Sequence, residues 1–197
     1  MHGLRFTGVV LTGGASRRMG RDKALLEING APISVSVAEA LREAGAHRVL
    51  AIGGDLPGLS KLASFDEVVT DDYPGEGPLG GILTALDRMD DDIVVILACD
   101  TPLIDAQTPE AVAHRLATEP TAAVAYAVVG GRAQPLTAAW RPRLALEPVR
   151  AAFAAGERAP RNVFAELPVI EVMTVPESGV ADVDRPEDLQ RYASESH

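Results

Sequence analysis

The sequence lacks the residues that would support covalent cross-links, metal clusters or membrane spans. Cys99 is the single cysteine among 197 residues, so neither an intrachain disulfide nor a cysteine zinc cluster can form. The four histidines (His2, His47, His114 and His197) are scattered without ligand spacing, which argues against a histidine metal site. There is no charged and apolar leader, and no apolar run long enough to span a bilayer. These absences predict a cytoplasmic protein that does not contact membranes.

Positive charge is also scarce, since 18 Lys and Arg residues face 28 Asp and Glu residues, for a net charge of −10. Phosphate backbones select basic surfaces, so this balance argues against a nucleic-acid partner. Hydrophobic residues make up 47% of the chain. A chain of this length buries roughly 70% of its unfolded surface, and we expect one domain over residues 1–197, with a core at 3–192 and a frayed tail at 193–197.

Residues 11–23 are basic, although the chain as a whole is acidic, because they contain four cations. The same stretch contains three glycines. A glycine-rich turn that follows the apolar run at 8–11 lets backbone amides approach phosphate oxygens. We interpret the stretch as a triphosphate cradle, with a solvated surface loop as the alternative. It is not a Walker loop, because five residues separate Gly14 from Gly20 and Ala24 follows Lys23. The glycine spacing does not match the dinucleotide fingerprint either.

Apolar segments and helical patterns alternate along the chain, which predicts an α/β fold with a mostly parallel sheet covered on both faces. The segment at 122–140 is predicted to be antiparallel, as an insertion or an edge of the sheet. Predicted strands are 6–11, 49–52, 67–70, 93–99, 122–129, 135–140 and 169–175, with short extended pieces at 25–28 and 180–184. Predicted helices are 32–44, 56–63, 79–89, 108–116 and 142–155, with a helical turn at 163–167 and a last helix that begins at about 185.

The most apolar run, residues 93–99, predicts a central parallel strand that ends at Asp100. Ligands of open parallel sheets bind outside the carboxyl ends of the strands, so Asp100 is a candidate functional acid. Three consecutive carboxylates at 90–92 are more typical of a solvated turn than of a metal site. Thr108 is predicted to cap the following helix.

Residues 11–23, 77–81 and 99–102 together resemble one known group, the molybdenum cofactor guanylyltransferases. The motif Leu-Thr-Gly-Gly-x-Ser-x-Arg-Met-Gly-x-Asp-Lys is close to specific for that group. Related sugar-phosphate and terpenoid nucleotidyltransferases usually carry Ala-Gly in place of Gly-Gly and lack the Asp before Lys. The resemblance continues through 134–136, 156–158 and 185–189, and so covers residues 7–192. It implies a three-layer Rossmann-like nucleotidyltransferase domain.

The resemblance implies that GMP passes from GTP to the terminal phosphate of molybdopterin and that pyrophosphate leaves. Mg²⁺ is the implied cofactor, and a partner protein that delivers molybdopterin is a further expectation. Such a transfer needs positioning and charge neutralisation. We therefore expect amides around Gly13 and Gly14 to hold the triphosphate, Arg18 and Lys23 to balance its charge, and Asp100 to hold Mg²⁺.

The remaining site residues are carried over from the family's motifs. Asp71 matches the acid near base and ribose, and the turn at 78–81 frames the nucleoside. On the acceptor side, Gln134, Pro135 and Arg158 match positions implied to contact molybdopterin. The complete set expected to bind the nucleotide is Leu11, Thr12, Gly13, Gly14, Lys23, Asp71, Pro78, Leu79, Gly80 and Asp100.

The chain departs from the family's pattern at two places. Gly53 and Gly54 stand where the family often has an Asn, so a side-chain contact to guanine is lost there or moves to the backbone. Asp182 and Asp184 replace the two amides of a C-terminal Asn-x-Asn motif. Asp182 is hypothesised to be a second metal ligand, or it marks a divergent paralogue with another acceptor, and Asp184 is predicted to cap the last helix.

Two further functions remain open. Within the same reaction class, the chain would transfer CMP to molybdopterin or a nucleotide to a sugar or alcohol phosphate. In a different class, it would be a non-catalytic adaptor that binds a nucleotide. The intact set of Arg18, Lys23 and Asp100 argues against loss of catalysis.

Overall fold

A computed structural model describes residues 4–13, 22–28, 30–101 and 103–173. The described strands are β1 (Phe6–Leu11), β2 (Glu27–Ile28), β3 (Ala31–Pro32), β4 (Ala46–Ile52), β5 (Glu67–Val69), β6 (Val94–Ala98), β7 (Val124–Val129), β8 (Arg132–Trp140) and β9 (Val169–Val172). The described helices are α1 (Ile33–Glu43), α2 (Leu56–Leu59), α3 (Pro78–Arg88), α4 (Gln107–Ala117), α5 (Pro142–Ala154) and α6 (Pro160–Val163). Short 3-10 turns form at Lys23–Leu25 and Phe164–Glu166.

Seven of the described strands form one sheet in the order β5-β4-β1-β6-β8-β7-β9. The pairs from β5 to β6 are parallel, β8 is antiparallel to β6 and β7, and β9 is parallel to β7. The predicted mostly parallel sheet with an antiparallel segment is confirmed. The 122–140 hairpin is not an edge of the sheet, however, because β9 adds to the outer side of β7.

Apolar side chains cover both faces of the sheet. In β6, Val95 and Leu97 join one cluster, whereas Val94 and Ile96 join the other. The first cluster includes α1 and α4, and the second includes α3 and α5. This three-layer arrangement explains the continuous apolar run that the sequence shows at this strand.

The connections differ from the predictions in two details. Asp105, not Thr108, caps α4, because its Oδ1 accepts from the Thr108 amide at 3.2 Å and lies 3.3 Å from the Thr108 hydroxyl. Since α4 begins at Gln107, Thr108 lies inside its first turn. The helix predicted at 56–63 ends at Leu59. Within the described ranges, no helix is long and apolar enough to cross a membrane. The predicted elements at 180–184 and beyond 185, with Asp182 and Asp184, lie outside the described residues.

Candidate active site

A cleft opens at the carboxyl edge of the parallel strands, where β1, β4 and β6 end. It brings together seven residues that the sequence singled out: Leu11, Thr12, Gly13, Lys23, Asp71, Pro78 and Asp100. Gly81, from the turn at 78–81 that was expected to frame the nucleoside, also lines the cleft. Five further lining residues were not assigned to the site: Ile52, Gly77, Ala98, Cys99 and Leu136. Most of these residues end or follow a strand or begin α3. The predicted strand ends were therefore the signal that could have identified them. Gly14 and Arg18 lie outside the described residues.

The turn after β1 is fixed by the end of β4. The amides of Thr12 and Gly13 both donate to the carbonyl of Ile52, at 3.0 and 3.1 Å. The buried Thr12 hydroxyl lies 3.0 Å from that carbonyl and 2.8 Å from the carbonyl of Gly53. The Gly13 amide is therefore engaged within the protein, so the expected triphosphate contact depends on amides later in the loop.

Gly53 and Gly54 form a turn that only glycine fits. Both have positive φ angles, 79° and 74°, which L side chains rarely adopt. A Cβ on Gly53 would lie 3.0 Å from the Gly13 Cα atom, and one on Gly54 would lie 2.9 Å from the Asp22 Oδ2 atom. A side chain at either position would be strained on this backbone, because the loops after β1 and β4 touch here.

Asp22 connects this turn to Lys23. Its Oδ1 accepts from the Ala24 amide at 2.9 Å and so caps the 3-10 turn, while Oδ2 accepts from the Asp55 amide. The side chain of Lys23 then reaches across the cleft, and its Nζ donates to Asp100 Oδ2 at 3.3 Å. Two candidate catalytic residues, 77 positions apart, therefore form an ion pair at the carboxyl end of β6.

Asp71 follows β5 and is held from two sides. Its Oδ1 accepts from the Tyr73 amide at 2.9 Å and from the Thr84 hydroxyl at 3.1 Å. Thr84 is a residue that the sequence interpretation missed. The available signal was a single threonine on an otherwise apolar helical face of α3.

The first turn of α3 packs closely against the cleft wall. A Cβ on Gly80 would lie 2.9 Å from the Tyr73 Cβ, and one on Gly81 would lie 3.2 Å from Leu11 Cδ2. Leu79 and Gly80 are buried behind the cleft and do not line it. Gly80 thus allows α3 to approach Tyr73, and Gly81 allows it to approach β1.

Gln134 and Pro135, which were expected to contact the acceptor, lie on the extension of β8. Only residues 137–140 of β8 pair with β6, so residues 132–136 extend beyond this pairing, on the side of the carboxyl end of β6. Gln134 pairs with Ala127, and the register then shifts, which places Pro135 at an irregularity of the ladder. Proline is tolerated there because it has no amide to donate. Leu136 reaches the cleft, whereas Gln134 and Pro135 lie beside it.

The guanidinium group of Arg158 contacts other groups of the protein. Its Nε donates to Glu76 Oε2 at 2.7 Å, and the group lies 4.1 Å from the centre of the Phe153 ring. Its carbonyl accepts from the Leu79 amide at 3.3 Å. Arg158 does not line the cleft, and it holds the segment that leads into α3.

Two observations bear on the chemistry of the cleft. Burial, with a smaller contribution from the neighbouring Asp100 charge, raises the pKa of the Cys99 thiol to about 12. This thiol therefore stays protonated and is a poor nucleophile. Within the described part of the chain, no three His, Cys, Asp or Glu side chains converge as metal ligands. Asp100, with its side chain 30% exposed, fits Mg²⁺, which uses one or two carboxylates together with phosphate oxygens and water.

Comparisons with known proteins identify the relatives of this chain. Residues 8–171 match the family model of the MobA-like NTP transferase domain. The molybdenum cofactor guanylyltransferase of Rhodobacter capsulatus is 35% identical over 195 residues, which cover 95% of each chain. The resemblance drawn from the motifs is therefore confirmed.

Solved structures show the same fold. Molybdopterin-guanine dinucleotide biosynthesis protein A of Archaeoglobus fulgidus superposes with a TM-score of 0.78 at 21% identity, over 96% of this chain and 98% of the other. The 2-C-methyl-D-erythritol 4-phosphate cytidylyltransferase of Thermus thermophilus gives 0.70 at 16% identity, over 95% and 96%. Because the second protein carries a different base and acceptor in its name, the fold alone does not select the substrate.

Proposed function

The chain belongs to the MobA-like NTP transferase domain family and, within it, to the molybdenum cofactor guanylyltransferases, and from this premise we propose that it transfers GMP from GTP to the terminal phosphate of molybdopterin. Family membership makes it a nucleotidyltransferase. A phosphate oxygen of the acceptor forms a bond to the α-phosphorus of GTP. The bond from that phosphorus to the bridging oxygen breaks, and pyrophosphate leaves.

The observation that carries the proposal is the meeting of Lys23 and Asp100 inside the cleft. This reaction needs opposite charges close together, a cation for the leaving phosphates and a carboxylate for a hard metal ion. The Lys23 side chain is only 17% exposed, so its charge acts where water is partly excluded. Lys23 neutralises the oxygen charge that grows as pyrophosphate departs, and Arg18 adds a second cation.

Asp100 is the residue that would hold Mg²⁺. When bound, the ion supplies positive charge to the phosphate oxygens and orients them. The Lys23 ammonium group donates to one carboxylate oxygen of Asp100, Oδ2. Asp182 remains the hypothetical second ligand, and Asp182→Asn tests it through the Mg²⁺ dependence of turnover.

The two sides of the cleft bind different partners in this proposal. Asp71 receives the nucleoside beside α3, and Pro78 lies at the start of that helix. The projecting part of β8, with Gln134 and Pro135, faces molybdopterin. Arg158 contributes positive charge at the same side, where the acceptor phosphate is anionic.

Pyrophosphate release tests the proposal directly. Purified protein and Mg²⁺ are incubated with GTP or CTP, each with and without molybdopterin. We expect release with GTP only when molybdopterin is present. Release with CTP alone among the nucleotides would replace the guanylyltransferase by a cytidylyltransferase. No release with any nucleotide or acceptor would favour the adaptor.

A further inference from the structure

Thr84 lies at a junction of three elements beside the nucleotide site. It is fully buried in α3, and its oxygen lies 3.1 Å from Asp71 Oδ1 and 3.1 Å from the carbonyl of Gly80. The same oxygen accepts from the Asp72 amide at 3.1 Å. Thr84 thus contacts both acidic residues that follow β5, and Arg88 at the end of α3 also pairs with Asp72.

The hydroxyl has a single proton for two acceptors. The Gly80 carbonyl lies inside α3, where the amide four residues later is its regular partner. Asp71 offers a carboxylate oxygen, and hydrogen bonds to charged acceptors are about twice as strong as neutral ones. The proton therefore favours Asp71, and Asp71 Oδ1 has two donors, the hydroxyl of Thr84 and the amide of Tyr73.

Fixing Oδ1 also fixes the direction of the other oxygen. Asp71 Oδ2 lies on the side of Gly13, where an added Cβ would be 3.8 Å away. Both Gly13 and Asp71 line the cleft. A carboxylate only accepts hydrogen bonds, so this orientation suits the N–H or O–H donors of a nucleoside.

We infer that Thr84 is a positioning residue for the nucleotide, which holds the Asp71 carboxylate with Oδ2 toward the nucleoside of GTP. The inference rests on the proposed function, because it takes GTP as the ligand. Thr84 does not touch the substrate. Without its hydroxyl, Asp71 keeps one donor and rotates among more conformations, so binding loses both a preformed acceptor and its orientation.

The test is the dissociation constant of GTP with Mg²⁺, measured by calorimetry. Thr84→Val keeps the shape of the side chain and removes the hydroxyl, and we expect about a tenfold weaker GTP complex. Thr84→Ser keeps the hydroxyl, and we expect affinity within about twofold of the wild type. Thr84→Ala is the second variant should valine not fold.

Thr108→Val is the matched control for general damage. Thr108 is also fully buried in a helix, and its hydroxyl also lies beside an aspartate carboxylate, Asp105. It does not line the cleft. We expect a loss of melting temperature similar to that of Thr84→Val, but GTP affinity within about twofold of the wild type.

A double-mutant cycle with Asp71→Asn decides whether Thr84 acts through Asp71. We expect Thr84→Val to add less than twofold to the loss caused by Asp71→Asn alone. Equal affinities for Thr84→Val and Thr108→Val, or full additivity with Asp71→Asn, would overturn the inference. Failure of the wild-type protein to bind GTP more tightly than CTP would instead count against the proposed function, so the two failures are distinguishable.

Discussion

The two walls of the cleft use their charged residues differently. On the wall proposed to bind the nucleotide (the nucleotide wall), neighbouring groups hold Lys23, Asp71 and Asp100 so that all three line the cleft. On the wall proposed to face the acceptor (the acceptor wall), the lining residue from β8 is the apolar Leu136. The basic residue expected there, Arg158, directs its guanidinium to Glu76 and the Phe153 ring.

This difference follows from how each wall is made. The carboxyl ends of parallel strands meet at one edge, so residues far apart in sequence converge whenever they follow such strands. The residues expected to contact the acceptor lie instead on the β7–β8 hairpin and on the loop after α5, where local packing places their side chains.

The largest expected effect tests the nucleotide wall at its metal side. Asp100→Asn removes the charge that would hold Mg²⁺ and leaves the size of the side chain unchanged. We expect turnover to fall by about a thousandfold, in the range of losses seen when one electrostatic group is removed from an active site. The measurement is pyrophosphate release with saturating GTP and Mg²⁺.

Asp90→Asn is the matched control for Asp100→Asn. Asp90 is an exposed acid before β6, at the opposite end of the strand from Asp100, and its neutralisation should change turnover by less than twofold. If Asp100→Asn kept wild-type turnover, the electrostatic role given to the nucleotide wall would be wrong.

A second prediction compares two glycines with similar backbone angles on the two walls. Gly53 has φ of 79° and Gly131, at the tip of the β7–β8 hairpin, has φ of 74°. A Cβ at Gly53 meets the backbone of Gly13 at 3.0 Å, whereas one at Gly131 meets nothing within 4 Å. Alanine at position 131 destabilises the fold only through backbone strain, by about 1 kcal/mol. Alanine at position 53 adds a clash with the backbone of Gly13.

We expect Gly53→Ala to lower the free energy of unfolding by about 2 to 4 kcal/mol, the scale of strained and overpacked sites, and to weaken GTP binding. Gly131→Ala should leave GTP binding unchanged. Urea unfolding and GTP titration of both variants give the comparison. Equal losses for the two would show that the contact between the β1 and β4 loops contributes nothing beyond backbone strain.

A third prediction separates the two roles of Arg158. If its charge serves the acceptor, Arg158→Ala should raise the KM for molybdopterin several-fold and change the KM for GTP by less than twofold. Glu76→Gln weakens the internal ion pair but keeps the guanidinium, so it should leave the acceptor KM near the wild-type value. Equal changes in both variants would assign Arg158 to holding the segment before α3 instead.

The strand ends were predictable from the sequence because their signals are local. The apolar run before Asp100 and the glycines after β1 identify strand ends, and topology then brings them together. From the sequence, Lys23 and Asp100 could be expected to lie near the same ligand, but their direct ion pair could not be predicted. Thr84 could not be assigned a role, because its importance comes from a contact with Asp71 that depends on how closely α3 approaches β5.

The cap of α4 and the position of the hairpin were misjudged for related reasons. Thr108 has the right residue type for a cap, but the helix begins one residue before it, and the Thr108 amide is itself capped by the Asp105 carboxylate. The order of strands in a sheet depends on which partner covers an edge, and here β9 covers β7. Local residue preference contains neither piece of information.

The smallest expected effect concerns Cys99, which lines the cleft between the two walls. Burial raises its thiol pKa to about 12, so at pH 8 only about one thiol in 10⁴ is ionised, against roughly one in four for an exposed cysteine.

We expect a disulfide reagent to label the native protein at least a thousandfold more slowly than the urea-unfolded protein. The native rate should rise about tenfold per pH unit at pH values well below that pKa, because the thiolate is the reacting species. Cys99→Ala should change turnover by less than threefold, since the proposed transfer uses charged groups and no thiol. Rapid labelling of the native protein at pH 8 would mean that the floor of the cleft is open and polar, and that the charge contrast between its walls is weaker than the structure indicates.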